Sequence, residues 1–145
     1  MNTITTMDNR NQYLPLPPRL DVAGEFYSFL KKRELRFQRC SDCGRWRHVP
    51  RDTCAQCGSW KWEWAKSSGR GRIFSWTTVE HPAIPSFAAF APYSPVVIEM
   101  EEGVRLVSWM VDCPAESLRL DLPVEVTFED VTADVTLHRF RIRSA

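Results

Sequence analysis

Apolar positions recur along the chain at two different spacings, and each spacing predicts one kind of secondary structure. From Asp21 onward they follow one face of a helix, and Asp21 itself can cap the first turn. These apolar positions are Val22, Phe26, Phe29 and Leu30. Farther along, short runs rich in β-branched and aromatic residues are typical of strands. The pattern predicts a mainly β protein with an N-terminal helix over 21–34.

The segments with the strand pattern fall into two groups. The first group covers 35–39, 45–48 and 60–66, and the second covers 72–80, 95–101, 104–111, 124–130 and 136–142. The five strands of the second group fit a small barrel, with a tight Glu102-Gly103 turn between the second and third. A short helix over 114–118 stands where an oligonucleotide/oligosaccharide-binding (OB) fold carries one. The C-terminal part is therefore predicted to be a five-stranded OB-fold barrel.

Two CxxC turns lie within the first group of strands. Their cysteines are Cys40, Cys43, Cys54 and Cys57. Two residues between cysteines let both sulfurs face one point, and Gly44 and Gly58 can supply the positive φ that closes each turn. Four thiolates leave no position open for water, so we predict one structural Zn²⁺ in a rubredoxin-like zinc ribbon. Iron in the same turns and redox-active CxxC thiols are the alternatives.

Composition and cysteine usage indicate a globular protein of a reducing compartment. Hydrophobic residues make up 43% and charged residues 26% of the chain, which are ordinary globular values. The N-terminal segment lacks the basic flank and apolar block of a secretory signal, and the cysteine count of 5 is odd. The uncharged stretch 82–98 contains four prolines and is predicted to be a loop rather than a membrane span. We therefore expect a cytoplasmic protein with reduced thiols.

Charge is distributed unevenly between the two halves of the chain. Residues 1–70 carry 13 Lys/Arg against 7 Asp/Glu, a net charge of +6, and residues 71–145 carry 6 against 11, a net charge of −5. A single-stranded nucleic-acid-binding module is the alternative function, since zinc ribbons and OB barrels both bind single strands. The acidic barrel half argues against it, because phosphate binding needs concentrated positive charge.

No residue pattern indicates an independent active site. His48, His81 and His138 are isolated from one another in sequence, and Cys113 ends a predicted strand without a basic neighbour. Catalysis needs a nucleophile with a base, or a paired acid and base, so no catalytic residue is predicted. Cys113 is predicted to be a structural thiol.

Two apolar segments are candidates for a partner interface. One is the helix stripe with Phe26, Phe29 and Leu30, and the other is the proline-rich loop 82–95 with Phe87, Phe90 and Tyr93. Each segment has two interpretations, burial in the chain's own core and burial against a partner chain.

The motifs together resemble a known family. They read LRFQRCSDCGRWRHVPRDTCAQCGS, SGRGRIFSWTTV, PYSPVVIEMEEGVRLVSWMV and LPVEVTFEDVTADVTLHRF. In order and spacing, residues 26–141 resemble small bacterial and archaeal proteins with a rubredoxin-like zinc ribbon followed by an OB-fold. Prolines without apolar periodicity in the first twenty residues, together with the patterns above, predict an arm over 1–20, a helix over 21–34, a ribbon over 35–68 and a barrel over 69–145. A family glycine before the fourth barrel strand is Asp121 here, and Asp tolerates left-handed turns.

The same resemblance implies a function. Members resemble accessory subunits of acyl-CoA enzymes, namely thiolases, thiolase-like aldolases and MaoC-type hydratases. It implies a noncatalytic subunit of a hetero-oligomer, most closely of the thiolase type, in which the partner supplies the catalytic residues. A coenzyme A thioester is expected at the shared interface, but no family residue for binding it carries over to this sequence.

Overall fold

The computed structural model describes residues 8–17 and 20–144, and it has one α-helix and two antiparallel sheets. The helix α1 is Asp21–Lys31, and the strands are β1 Arg36–Cys40, β2 Trp46–Arg47, β3 Trp62–Lys66, β4 Arg70–Trp76, β5 Val96–Met100, β6 Arg105–Ser108, β7 Pro123–Asp130 and β8 Thr136–Ile142. Three short 3₁₀ helices cover Asn9–Tyr13, Pro85–Phe90 and Ala115–Ser117. The predicted fold class is confirmed. None of the helices in 8–17 and 20–144 is long and apolar enough to cross a membrane.

The N-terminal sheet is the three-stranded zinc ribbon. Its strand order is β2-β1-β3, so β1 is central and hydrogen-bonds to both neighbours. Trp62 and Trp64 share one face of β3, with ring centroids 5.2 Å apart. Trp60, the first residue of the strand predicted over 60–66, lies outside β3 and is 74% exposed.

The C-terminal sheet is the five-stranded barrel. Its order is β6-β5-β4-β7-β8, and a bridge between Met110 and Phe140 joins the two ends of the sheet. The Val111 N–H donates to the Phe140 carbonyl at 2.7 Å, and the Phe140 N–H donates to the Trp109 carbonyl at 2.9 Å. The bridge curls the sheet into the predicted barrel. Asp121 has a φ of 63°, as expected for a residue that replaces glycine in a turn.

Helix α1 contributes to a core that runs through both sheets. Phe26 and Leu30 are 2% and 0% exposed, and they cluster with Phe37 of the ribbon and Phe140 of the barrel. This corrects the interface prediction at Phe26 and Leu30. The helix lies against β1 of the ribbon and β8 of the barrel, and its apolar face packs on the core residues of both sheets. Val22 and Phe29 of the predicted helix stripe stay half-buried.

Part of the predicted N-terminal arm lies against the loop 82–95. The Arg10 guanidinium donates to the Ala89 carbonyl at 2.9 Å and stands 4.5 Å over the ring of Phe90. These contacts anchor the 3₁₀ helix Asn9–Tyr13. The rest of the arm prediction, over 1–7 and 18–19, lies outside the described residues.

Candidate metal centre and partner surface

The two CxxC turns bring their four cysteines to one point of the ribbon. Cys40 and Cys54 are buried and Cys43 and Cys57 are exposed. Two turn glycines follow them with φ of 76° at Gly44 and 73° at Gly58, a conformation that side chains rarely adopt. The sequence prediction of a left-handed glycine closing each turn agrees with this geometry.

The sulfur positions fit a tetrahedral metal ion. All four Sγ atoms lie within 4.8 Å of one another. The Cys40–Cys57 and Cys43–Cys54 sulfur pairs are each 3.6 Å apart. A Zn–S bond of about 2.3 Å places the corners of a tetrahedron about 3.8 Å apart, so the cysteines match this ion. Such a site stabilises the fold and leaves no coordination position for a substrate.

The backbone around the site favours thiolates. Amide N–H groups of Cys57 and Gln56 lower the pKa of Cys54 to about 6. Against the lowering effect of the Ser59 amide, burial and the other three cysteines raise the pKa of Cys57 to about 12, because four anionic sulfurs in one place need a cation.

Four thiolates and one Zn²⁺ carry a net charge of −2, and the Arg39 Nε donates to the Gly44 carbonyl of the first turn at 3.4 Å. Arg39 stands 5.7 Å over the ring of Trp46, and Arg47 stands 5.8 Å over the ring of Trp62.

Gln38 is a structural residue of the ribbon that the sequence analysis missed. It is fully buried on β1, and its Oε1 accepts hydrogen bonds from the Arg47 Nε at 2.9 Å and the Arg51 N–H at 2.7 Å. Its Nε2 donates to the Arg51 carbonyl at 2.9 Å. Gln38 therefore positions the segment between the two CxxC turns. Because these hydrogen-bond partners lie 9 and 13 residues from Gln38 in the sequence, no short motif around Gln38 indicates its role.

A cavity of about 500 Å³ lies between α1, the segment 48–50 and the strands β5, β6 and β8. His48 and His138 both line it and both contact the Phe26 ring, with centroids 5.1 and 6.1 Å from the centroid of that ring. The Ser108 hydroxyl donates to the His138 carbonyl at 3.0 Å, and its oxygen is 2.8 Å from the His138 Nδ1. The Ser108 hydroxyl has a single hydrogen, which it donates to the carbonyl, so its oxygen can only accept a hydrogen bond from the ring. We therefore assign the proton of the neutral His138 ring to Nδ1.

Both cavity histidines are held neutral. Burial lowers the pKa of His48 to about 4. Burial, with the charges of His48 and Arg139, lowers the pKa of His138 to about 3. In sequence the two appeared unrelated, and only the packing of α1 brings them to the same ring. Two neutral imidazoles without a nucleophile do not form a catalytic constellation.

The lowered pKa values of His48 and His138 predict that the folded protein is less stable in mild acid. The ordinary pKa is 6.5, and both folded values lie below it, so the unfolded chain binds protons that the folded chain does not. Stability is therefore highest above pH 6.5 and falls as pH drops from there towards 4. At about pH 5.5 we expect a loss of about 1 kcal/mol per histidine, measured by urea unfolding.

The control for this effect uses the third histidine. The double variant His48→Gln/His138→Asn is expected to lose the pH dependence of unfolding between about pH 5.5 and 7. His81→Gln should keep it, because His81 is exposed. Zinc content is measured at each pH, so that loss of metal is not mistaken for protonation of a histidine. An unchanged slope in the double variant would assign the acid sensitivity to other groups.

The loop 82–95 folds its aromatic residues onto the barrel. Phe90 and Tyr93 lie 5.6 and 5.2 Å from the ring of Trp109, and Phe87 lies 5.9 Å from Tyr93. All four rings stay half-buried. We call this set the aromatic cluster. It covers one end of the barrel and still presents ring surface to the outside.

The remaining candidate groups do not assemble an active site in the part of the chain that the structure describes. Burial raises the pKa of the Cys113 thiol, which packs against the core and donates to the Pro114 carbonyl at 3.8 Å. Five of the seven barrel arginines are in ion pairs: Arg70–Glu101, Arg72–Glu99, Arg105–Glu99, Arg139–Glu129 and Arg141–Glu125. Charges paired in this way do not provide a basic track for a nucleic-acid backbone.

Comparison with known proteins matches both parts of the chain to described domains. Residues 28–63 match the ChsH2 rubredoxin-like zinc ribbon domain, and residues 64–129 match the ChsH2 C-terminal OB-fold domain. A chain of the solved Ltp2-ChsH2(DUF35) aldolase is similar, with a TM-score of 0.77 and 30% identity, over 86% of this chain and 98% of that chain.

Two curated relatives show how this architecture is used in proteins of different length. A DUF35 domain-containing scaffold protein of Methanocaldococcus jannaschii is 34% identical over 97 residues, which is 66% of this chain and 68% of that protein. A probable enoyl-CoA hydratase alpha subunit of Thermomonospora curvata is 32% identical over 116 residues, which is 80% of this chain. The match spans only 36% of that longer subunit.

Proposed function

This chain belongs to the family of ChsH2-type zinc ribbon and OB-fold proteins, and from that membership we propose that it is a noncatalytic scaffold subunit of an acyl-CoA-processing enzyme. The partner that we propose is a thiolase or a thiolase-like enzyme, which supplies the catalytic residues in a hetero-oligomer. Thiolate metal ligands require a reducing compartment, which favours the cytoplasm.

One observation carries this proposal. The chain matches almost the whole length of the DUF35 chain in the solved aldolase, at 30% identity. Among the residues that the structure describes, a closed four-cysteine site and a thiol without a base offer no nucleophilic or hydrolytic chemistry. A protein that keeps the fold of an enzyme's subunit without a catalytic constellation is best explained as a structural part of such an enzyme.

We assign the partner contact to the aromatic cluster and to Phe29. The cluster residues Phe87, Phe90 and Tyr93 are half-buried on the isolated chain, and a partner surface would complete their burial. Phe29 packs edge-to-face on Trp64, with ring centroids 5.4 Å apart, and the Trp64 Nε1 donates to Glu25 at 2.7 Å. We propose that a coenzyme A thioester is bound where this surface meets the partner.

The test is purification of the native protein with its companion, followed by turnover assays. We expect an acyl-CoA enzyme subunit to co-purify, and the purified chain alone to show no thiolase, aldolase or hydratase turnover. Activity should appear only in the complex. Robust turnover by the isolated chain, abolished by Cys113→Ala, would contradict the scaffold role.

The same complex tests the assigned surface. The double variant Phe87→Ser/Phe90→Ser should lower affinity for the partner by at least about tenfold, because buried aromatic rings carry much of an interface's binding energy. Trp60→Ser, at an exposed ring on the ribbon, is the matched control and should bind normally. A large fall in melting temperature with partner affinity retained would place the two rings in the core.

A further inference from the structure

Strand β6 is an edge strand along part of its length. Near its start, the Met100 N–H donates to the Val104 carbonyl at 2.9 Å, so Val104 directs its backbone groups towards β5. Backbone groups of successive residues in a strand point alternately to its two sides. Arg105 and Val107 therefore direct their N–H and C=O groups away from β5.

The other end of β6 has the same alternation. The Trp109 carbonyl, two residues after Val107, accepts the Phe140 N–H at 2.9 Å from β8. From Trp109 onward β8 thus occupies this edge. Over Arg105 and Val107 the described residues of β8 and α1 place no backbone hydrogen bond on it. Unpaired backbone groups on an edge are a template for another strand.

The unpaired edge borders the cavity of about 500 Å³. Ala23 and Tyr27 of α1 and Val49 of the segment 48–50 also line it. Val107, on the edge itself, is 62% exposed, so an apolar surface and free backbone groups are presented together. A smaller cavity of about 250 Å³, also lined by Tyr27 and Val107, leads from here to the aromatic cluster.

We call the cavity of about 500 Å³, together with the unpaired edge of β6 that borders it, the groove. The surface of the groove carries little free charge. Arg105 is bound to Glu99 at 3.0 Å and stacks at 3.6 Å on the ring of Phe74, and the cavity histidines are neutral. An occupant with unpaired charges would lose hydration here without compensation. An uncharged, apolar occupant matches the lining.

We propose that the edge of β6 at Arg105 and Val107 pairs with an extended, uncharged segment of the partner subunit, whose apolar side chains enter the groove. This inference rests on the proposed function for the identity of the partner. Strand addition combines backbone hydrogen bonds for affinity with side-chain pockets for specificity, and the structure offers both.

The spacing of the free groups favours a peptide over a small ligand. Residues two apart in a strand repeat at about 6.6 to 6.8 Å, which is the repeat of a neighbouring strand's own amides and carbonyls. The two residues offer two donors and two acceptors in one line. The groove continues to the aromatic cluster, so a segment seated on β6 would extend towards the partner contact assigned above.

The test compares Val107→Pro with Val107→Thr in the full chain. Proline removes the free N–H and is tolerated on an edge strand, while threonine keeps both the N–H and the β-branched shape. Ten-residue peptides are selected on the wild-type chain from a phage-displayed library, and the best is synthesised. We expect binding at least about tenfold weaker in Val107→Pro and within about threefold of wild type in Val107→Thr.

Hydrogen exchange and a second variant complete the test. Peptide binding should slow exchange of the Arg105 and Val107 amides in the wild type. If Val107→Pro does not fold, Ala23→Trp fills the groove from α1 and should abolish peptide binding. The proposal is overturned if no peptide is selected, if exchange at both amides is unchanged, or if the folded variants bind as wild type does.

Comparison of the two Val107 variants in the complex distinguishes a failure of the proposed function from a failure of the proposed strand pairing at the edge of β6. One outcome is a co-purified companion that is not an acyl-CoA enzyme but whose complex is lost in Val107→Pro and kept in Val107→Thr. In that case the pairing at the edge of β6, which we call the docking edge, is supported and the partner assignment is wrong. If an acyl-CoA enzyme binds both variants equally, the scaffold role stands and the docking edge is wrong. Binding of an acyl-CoA thioester in the groove, unaffected by Val107→Pro, would also overturn the peptide proposal.

Discussion

Cys40→Ser is expected to unfold the ribbon and lower the melting temperature of the whole chain. Cys40 ends the central strand β1 and is buried, so loss of its thiolate removes one of four ligands at the middle of the sheet. Structural zinc contributes on the order of 10 kcal/mol in small zinc modules, which a sheet with a two-residue strand cannot replace by packing. Because the core includes Phe37 of the ribbon, the barrel should be destabilised as well.

Elemental analysis and thermal unfolding measure this effect. The wild type should hold about one zinc per chain, and removal of zinc by a chelator should reproduce the variant's unfolding. Cys113→Ser is the matched control and should keep both the metal and the fold, since its thiol lies outside the cysteine cluster. One equivalent of iron in place of zinc, or a stable metal-free protein, would contradict the zinc assignment.

Phe26→Ala is expected to destabilise the chain by about 3–5 kcal/mol, the usual cost of truncating a buried phenylalanine. Phe26 is 2% exposed, packs edge-on against Tyr27 at 5.2 Å, and contacts the rings of both cavity histidines. Its removal would leave a cavity where α1 joins the barrel. Urea unfolding of the isolated chain measures the loss.

Phe29→Ala is the matched control on the same helix. Phe29 is half-buried, so its truncation should cost less stability than that of Phe26. For affinity towards the partner we expect the reverse order, with a larger loss in Phe29→Ala than in Phe26→Ala. Near-normal stability of Phe26→Ala combined with lost partner binding would instead place Phe26 in the interface and restore the interpretation that the structure corrected.

The metal site illustrates what sequence alone determines. The spacing within each CxxC turn and the glycine after it specify a local backbone conformation, and local conformation is enough to aim two sulfurs at one point. The strands were predicted for a related reason, because β-branched and aromatic residues favour extended backbone wherever the chain later places it. The errors in the strands were at their ends, as at Trp60, where pairing with β1 decides where the strand begins.

The tertiary structure decided which apolar residues are covered and by what. The helical stripe of Phe26 and Leu30 was evident from the sequence, but a stripe has the same pattern whether it meets its own barrel or another chain. The approach of His48 to His138, the bonds of Gln38 and the free edge of β6 depend on contacts between residues far apart in the chain. Such contacts are set by how the sheets and α1 pack together, and no local pattern of residues encodes that packing.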